Sequence, residues 1–195
     1  MCIRDSPDVD PEDYLTAEFG TRFNNGTFSF ELSSYYTWIN DGIIRVADGF
    51  GGLITTNGSD GFLYGFEAKG DWYLHPQWHL SAHASWQDGT QTTNGFEDTI
   101  RRLNPLNGSI SLKWTEPQER YWISGRIQAA ARQDNLSILA ASDTQRIPIN
   151  GTPDYIVASI YAGWQVNDTL TLNFAFENLT DEDYRIHGSG QNQPG

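Results

Sequence analysis

The sequence predicts an all-β protein, a stretch of antiparallel transmembrane β-barrel with about eight strands in four hairpins. Three observations carry this. Apolar residues recur at every second position and not at helical spacing. Short turns alternate regularly with long polar connections. The tryptophans gather near the two ends of the strands. Composition permits the reading without requiring it. The apolar share is 38%, low for a globular chain, yet aromatics reach 13%, too many for a disordered one. One cysteine excludes an intrachain disulfide and any multi-cysteine metal centre. Twelve Lys and Arg against 25 Asp and Glu leave a charge of −13, which argues against a nucleic-acid partner. No apolar run is long enough for a membrane helix, and the first residues lack the basic and apolar stretches of a secretory signal. Transmembrane strands alternate, so they need no such run.

Taken in order, Leu15, Ala17, Phe19, Thr21 and Phe23 form one face of the first strand, against Thr16, Glu18, Gly20 and Arg22. Asn24-Asn25-Gly26 is a strong turn signal. Phe28, Phe30, Leu32, Ser34, Tyr36 and Trp38 follow, opposite Ser29, Glu31, Ser33, Tyr35 and Thr37. Phe66, Ala68, Gly70 and Trp72 alternate with Glu67, Lys69 and Asp71. After His75-Pro76-Gln77 come Trp78, Leu80, Ala82, Ala84 and Trp86, against His79, Ser81, His83 and Ser85. Ile110, Leu112 and Trp114 lead through Glu116-Pro117-Gln118 to Tyr121, Ile123, Gly125, Ile127 and Ala129. Ile156, Ala158, Ile160, Ala162 and Trp164 lead through Asn167-Asp168 to Leu170, Leu172, Phe174 and Phe176. The segments 40–61, 88–106, 132–153 and 179 onward are expected as long loops. Short turns at one rim and long loops at the other are the habit of outer-membrane barrels.

The tryptophans test this independently. Trp72, Trp78, Trp114 and Trp164 lie on apolar faces beside short turns, and Trp38 and Trp86 lie on apolar faces at the other end. From Trp78 to Trp86 is about 26 Å along a strand. At a tilt near 40° that is about 20 Å along a membrane normal, close to the roughly 25 Å band between aromatic girdles. All the apolar faces should then share the convex side of one curved sheet. Trp122 falls on the polar face and breaks the rule. A soluble β-sandwich is the rival, and it would bury these rings in a closed core.

Near the end, the run 177-ENLTDEDYRIHGSGQNQPG-195 resembles the region before the last strand of TonB-dependent outer-membrane receptors, with Asn178, Leu179, Asp181 and Tyr184 matching Asn-Leu-x-Asp-x-x-Tyr. The segments 7-PDVDPEDYLTAEFGTRF-23 and 65-GFEAKG-70 resemble two further motifs of that family, in the same order. The resemblance implies a barrel of about 22 strands with a plugged lumen. It also implies outer-membrane lipid around the barrel, a TonB partner acting through a plug, and active uptake of a bulky ligand such as a ferric siderophore, haem or cobalamin. No cofactor is implied. Residues 7–195 are expected to be the C-terminal portion of such a barrel, with the plug and the last strand missing, so this polypeptide alone should transport nothing. A porin-like channel is the nearer alternative.

On this reading the long loops face outward, and Phe96, Arg101, Arg102, Arg132 and Gln145 are candidate ligand contacts. His187 is expected to be structural. His75, His79 and His83 are spaced for a helix-borne zinc site, but on a strand i and i+4 lie about 13 Å apart, so no shared metal is expected. Asp8, Asp10 and Asp13 lack the glycine and closing glutamate of a calcium loop. Among the Asn-x-Ser/Thr triplets, Asn107 and Asn178 are expected on strands, and all are read as chance products of turn-rich composition. Ser85 and His83 share a face, but with no nucleophile elbow or orienting carboxylate they do not make an enzyme. The opening MCIRDS holds the only Met and the only Cys. It resembles the translation of a transposon end used to tag DNA for sequencing, so residues 1–6 are expected to be a non-native tag.

Overall fold

A computed structural model describes residues 9–47, 53–93 and 95–193. The expected tag, Asp8 and Pro7 lie outside the described residues. Among the described residues nine strands form one antiparallel sheet: β1 (Asp13–Asn24), β2 (Phe28–Ala47), β3 (Leu53–His75), β4 (Trp78–Thr93), β5 (Phe96–Thr99), β6 (Asn107–Thr115), β7 (Tyr121–Ala130), β8 (Tyr155–Asn167) and β9 (Leu170–Phe176). Strands neighbour one another in chain order, except that β5 is a side branch on β4 and β4 also pairs β6. The sheet is open, with β1 and β9 as its two edges. All eight expected strands are present; β5 is the addition.

The four short turns are made by their own side chains. Asn25 Oδ1 accepts the Thr27 and Phe28 amides at 3.1 and 2.7 Å, and Gly26 sits at φ 86°. Glu116 Oε2 accepts the amides of Gln118 and Arg120 at 3.1 and 3.3 Å. Asn167 Oδ1 does the same for Thr169 and Leu170, at 2.9 and 3.0 Å. These bonds replace the ladder partners that the backbone loses as it reverses. In the remaining short turn His75 Nδ1 accepts the Gln77 amide at 3.4 Å, and His75 pairs directly with Trp78.

Register puts every predicted apolar face on one side of the sheet. Leu15 lies opposite Trp38, Trp38 opposite Phe62, Phe66 opposite Trp86, Leu80 opposite Leu112, Leu112 opposite Gly125, Gly125 opposite Ile160, and Ile160 opposite Phe176. That face is uncovered. Phe19 is 70% exposed, Ile156 63%, Trp164 49%, Trp72 46% and Trp78 40%. The rings near the short turns form a row in which Phe23 meets Phe28 at 6.2 Å, Phe28 meets Trp72 at 6.3 Å and Trp114 meets Tyr121 at 5.8 Å. Toward the other end Tyr36, Trp38, Phe62, Tyr64, Phe66 and Trp86 make a second cluster, with centroids 4.5 to 6.1 Å apart in successive contacts. Among the described residues nothing encloses these tryptophans as a sandwich core would. The opposite face carries Glu18, Arg22, Glu31, Glu67, Lys69 and His83, and lines a cavity of about 690 Å³. Trp122, the exception to the pattern, lies on this polar face opposite Gly163 and beneath Lys113, whose Nζ is 4.7 Å from the ring centre.

Three expected loops are corrected. The segment 40–61 is not structureless: β2 and β3 run on through it, pairing Ile43 with Asn57 and Val46 with Ile54. Register shifts around Gly42 break the alternation, and Asp41 turns to φ 54°, so period-two reading fails there. A β-carbon at Gly42 would lie 2.9 Å from the Ser59 carbonyl oxygen, which is why the bulge needs glycine. Asn57 pins it, donating to the Asp10 and Asp41 carbonyls at 2.9 and 2.7 Å. The segment 88–106 begins as a continuation of β4 and contains β5, with Gly95 at φ 78° turning between them. The segment 132–153 holds a short helix, α1 (Ile138–Ser142), capped by Ser137, whose Oγ accepts the Ala140 amide at 3.1 Å. Asn178 lies beyond β9 and not on a strand, whereas Asn107 begins β6. Among the described residues the buried apolar side chains are Leu103, Ala140, Ile147, Tyr155 and Val157. Tyr155 and Val157 belong to the polar face, so the enclosed core of the described residues sits where the connections after β5, β7 and β9 fold over that face.

Candidate ligand-binding loop cluster

These three connections are bound to one another. Gln133 and Thr152 exchange backbone hydrogen bonds at 2.9 Å each, and Gln133 Nε2 donates to the Leu103 carbonyl at 2.8 Å. Asp98 of β5 accepts the Ile138 amide at the start of α1 at 2.9 Å. Thr152 Oγ1 lies 2.9 Å from His187 Nδ1, which ties the final connection to the one before it. Burial and the nearby Arg102 charge hold the His187 imidazole below its ordinary pKa of 6.5, so its neutral form is favoured. A small cavity of about 180 Å³ opens among Asn104, Gln128, Thr152, Tyr155, Arg185 and His187.

The charged centre of the cluster is Asp143, just after α1. Its Oδ2 accepts from Arg101 Nη2 and Arg102 Nη2 at 2.7 Å each, and Arg146 Nη1 approaches Oδ1 at 3.4 Å. The carboxylate side chain is only 9% exposed, whereas the three arginines keep 42%, 39% and 47% of theirs. The hydrogen bond from Arg102, then that from Arg101, keep the Asp143 pKa below the usual carboxylate value against a partial desolvation cost.

Of the sequence candidates, Arg101 and Arg102 are thus brought together. Arg132 is separate: its Nε meets Asp134 Oδ2 at 3.2 Å and its Nη2 donates to the Asn150 carbonyl at 2.9 Å. Phe96 stands 77% exposed on β5. The Gln145 backbone passes close to Gly190. Asp143 was not legible as a meeting point, since two of its three arginine partners lie 41 and 42 positions away and only Arg146, three positions on, is local. The acid between two hydrophobic segments is the only signal the sequence carries for it. The histidines have different partners: His79 Nε2 is 3.1 Å from Asp71, and His83 Nδ1 is 3.0 Å from Ser109 Oγ. Ser85 Oγ instead donates to Asn107 at 3.3 Å, so His83 and Ser85 do not act as a pair.

Asn178, Leu179, Asp181 and Tyr184 build the corner where the chain leaves β9. Asn178 and Asp181 adopt φ 51° and 52°. Asn178 Nδ2 donates to the Glu182 carbonyl at 2.9 Å while its Oδ1 accepts the Glu182 amide at 3.0 Å. Leu179 N extends the ladder to the Ala158 carbonyl at 2.8 Å, and Tyr184 packs on Tyr155 with centroids 4.6 Å apart. This corner seats the final connection against the cluster. Residues 3–179 match the family described as TonB dependent receptor-like, beta-barrel.

The chain belongs to this TonB-dependent receptor family.

Solved structures agree on the fold of the receptor barrel. The copper transporter OprC matches with TM-score 0.75 and 19% identity, over 92% of this chain and 27% of its own. The FrpB iron transporter from Neisseria meningitidis matches with TM-score 0.75 and 15% identity, over 92% and 28%. The ferric-catecholate import receptor Fiu from E. coli matches with TM-score 0.69 and 19% identity, over 96% and 26%. The chain therefore spans about a quarter of the length of these barrels' chains. No curated protein sequence matches it.

Proposed function

We propose that residues 7–195 are the C-terminal portion of an outer-membrane receptor barrel that takes up a bulky, scarce ligand, a ferric siderophore before haem or cobalamin, with energy delivered by TonB. Residues 1–6 are read as a tag and not as part of the receptor. The uncovered apolar face carries this reading. Its aliphatic side chains lie between two sets of rings, with Trp72, Trp78, Trp114 and Trp164 toward the short turns and Trp38 and Trp86 toward the connections. Exposed to water, such a surface is an aggregation liability; in a bilayer it is the lipid contact, and the tryptophans sit at its two interfaces. The opposite polar face then lines the lumen, and Phe96, Arg101, Arg102, Arg132 and Gln145 lie on the outward connections.

The test is uptake of radioactive iron by cells carrying the complete receptor, with and without TonB. Saturable, TonB-dependent uptake supports the reading; unsaturable uptake that survives loss of TonB would support a porin-like channel instead. The chain as given should carry nothing across liposomes, because β1 and β9 would leave unpaired strand edges in lipid.

A further inference from the structure

We propose that residues 183–193 form an acid-released strap over the mouth of the lumen, and that the bond between His187 and Thr152 is its latch. That the strap faces a lumen rests on the receptor reading; that it opens in acid does not. The strap is braced within itself. Arg185 Nε donates to Asn192 Oδ1 at 2.9 Å, Asn192 Nδ2 donates to Asp183 Oδ1 at 2.6 Å, and the Gln193 amide reaches the Tyr184 carbonyl at 2.9 Å. It leaves the sheet through the corner at Asn178 and Asp181, both at positive φ. Beyond that corner, among the described residues, the one hydrogen bond that ties the strap to another element joins His187 Nδ1 and Thr152 Oγ1 at 2.9 Å. The Tyr184 ring on Tyr155 is its other seat. A segment braced in this way moves as a unit once its polar tie is lost.

The site accepts a neutral imidazole and opposes a charged one. His187 borders the cavity of about 180 Å³, to which β7 presents Gln128 and β8 presents Tyr155, and no carboxylate lines it. The cations that face it are Arg185 from its own segment and Arg102 from the connection after β5, whose side chain lies against Gly188. Asp143, the partner of Arg102, is already shared by three arginines. A proton on His187 therefore adds a further positive charge in a half-buried place with no anion to receive it. Burial first, and then the Arg102 charge, hold its pKa below 6.5. The seat is also incompletely satisfied: Arg126, whose charge reaches Tyr184, keeps its Nε buried with no hydrogen-bond partner. Neutral His187 thus contributes fully to closure above 6.5, and that contribution is lost as pH falls through the lowered folded value. A fixed piece of wall is the competing role for the same residues.

The test is hydrogen exchange on the complete receptor at pH 7.5 and 5.5, corrected for the intrinsic pH dependence of amide exchange. The reporters are the Ser189 and Gln193 amides of the strap, and the Leu179 amide, bonded to Ala158, is the control outside it. One proton shifts an equilibrium by at most about tenfold per pH unit, and only the unit below 6.5 counts here. We expect protection at Ser189 and Gln193 to fall about three- to tenfold in acid while Leu179 stays unchanged. H187Q, whose carboxamide can still reach Thr152, should hold the strap closed and remove the pH dependence. T152V should loosen it already at pH 7.5, and D143N should keep the full response, because Asp143 titrates below its ordinary 3.8. Equal protection of the parent at the two pH values overturns the latch, as does an acid response that survives in H187Q. Loss at Leu179 to the same extent as in the strap also overturns it, since the whole corner would then be melting. None of these results depends on uptake, so the latch can fail while TonB-dependent uptake stands, and the reverse.

Discussion

Ile160→Arg is the perturbation that separates a lipid-facing sheet from a water-facing one. Ile160 lies on the apolar face of β8, paired with Gly125 on one side and Phe176 on the other, and is 39% exposed. It stands four residues from Trp164 along the strand. That is about 13 Å of strand and, at a tilt near 40°, about 10 Å along the normal, close to the middle of a band about 25 Å tall. Space is not the obstacle, because a β-carbon on Gly125 would meet nothing within 4 Å. In water an arginine there would alter stability by no more than about 0.5 kcal/mol. At the bilayer midplane it costs about 2 to 4 kcal/mol, a shift of about thirtyfold to nearly a thousandfold in the folding equilibrium. The control is Ala175→Arg, at the same level on the opposite face, where its partner Tyr161 donates its hydroxyl to Glu177 at 2.9 Å. The assay is urea unfolding of the complete receptor in phospholipid vesicles, followed by heat-modifiable migration. The expected result is a marked loss for I160R and almost none for A175R. Equal losses, or a harmless I160R, would refute the lipid-facing assignment.

Gly163→Val should destabilise the same barrel by about 1 to 3 kcal/mol, the usual cost of overpacking. A β-carbon at Gly163 overlaps the Trp122 indole, so the ring must move and Lys113 loses its seat above it. Asn178→Ala should cost about 1 to 3 kcal/mol through its stranded partners and speed hydrogen exchange at the Glu182 amide, which Asn178 Oδ1 otherwise accepts; unchanged exchange would reject the corner's role. The loop cluster should loosen in acid. Both folded-state pKa values are lowered, so His187 contributes fully above its ordinary 6.5 and Asp143 above its ordinary 3.8, and each contribution fades as pH falls through the depressed folded value. A protease tolerant of acid should therefore cut the connections faster as pH falls, and D143N should remove the lower part of that dependence.

Local rules served where the chain is regular. A strand places alternate residues on opposite faces whatever its neighbours do, so Phe28 to Trp38 or Trp78 to Trp86 could be assigned to one face before any pairing was known. Asn25, Glu116 and Asn167 act within a few residues of themselves, and their turns were equally legible. The same rules failed at Gly42, where two successive register shifts interrupt the alternation and make a paired strand read as a loop. They also failed at 88–106, where glycines that permit close strand approach resemble loop glycines.

By itself the sequence determined the eight main strands of the sheet, the side that residues in their regular stretches face, the two sets of tryptophans, and through three short motifs the resemblance to its family. All of these follow from interactions between residues close along the chain or from a short motif. Only the tertiary structure decided how far β2, β3 and β4 extend, that β5 and α1 exist, and that Arg101, Arg102 and Arg146 meet at one carboxylate. Charge pairing acts through space and leaves no periodic trace, so Asp143 became visible only when the connections were folded over the polar face.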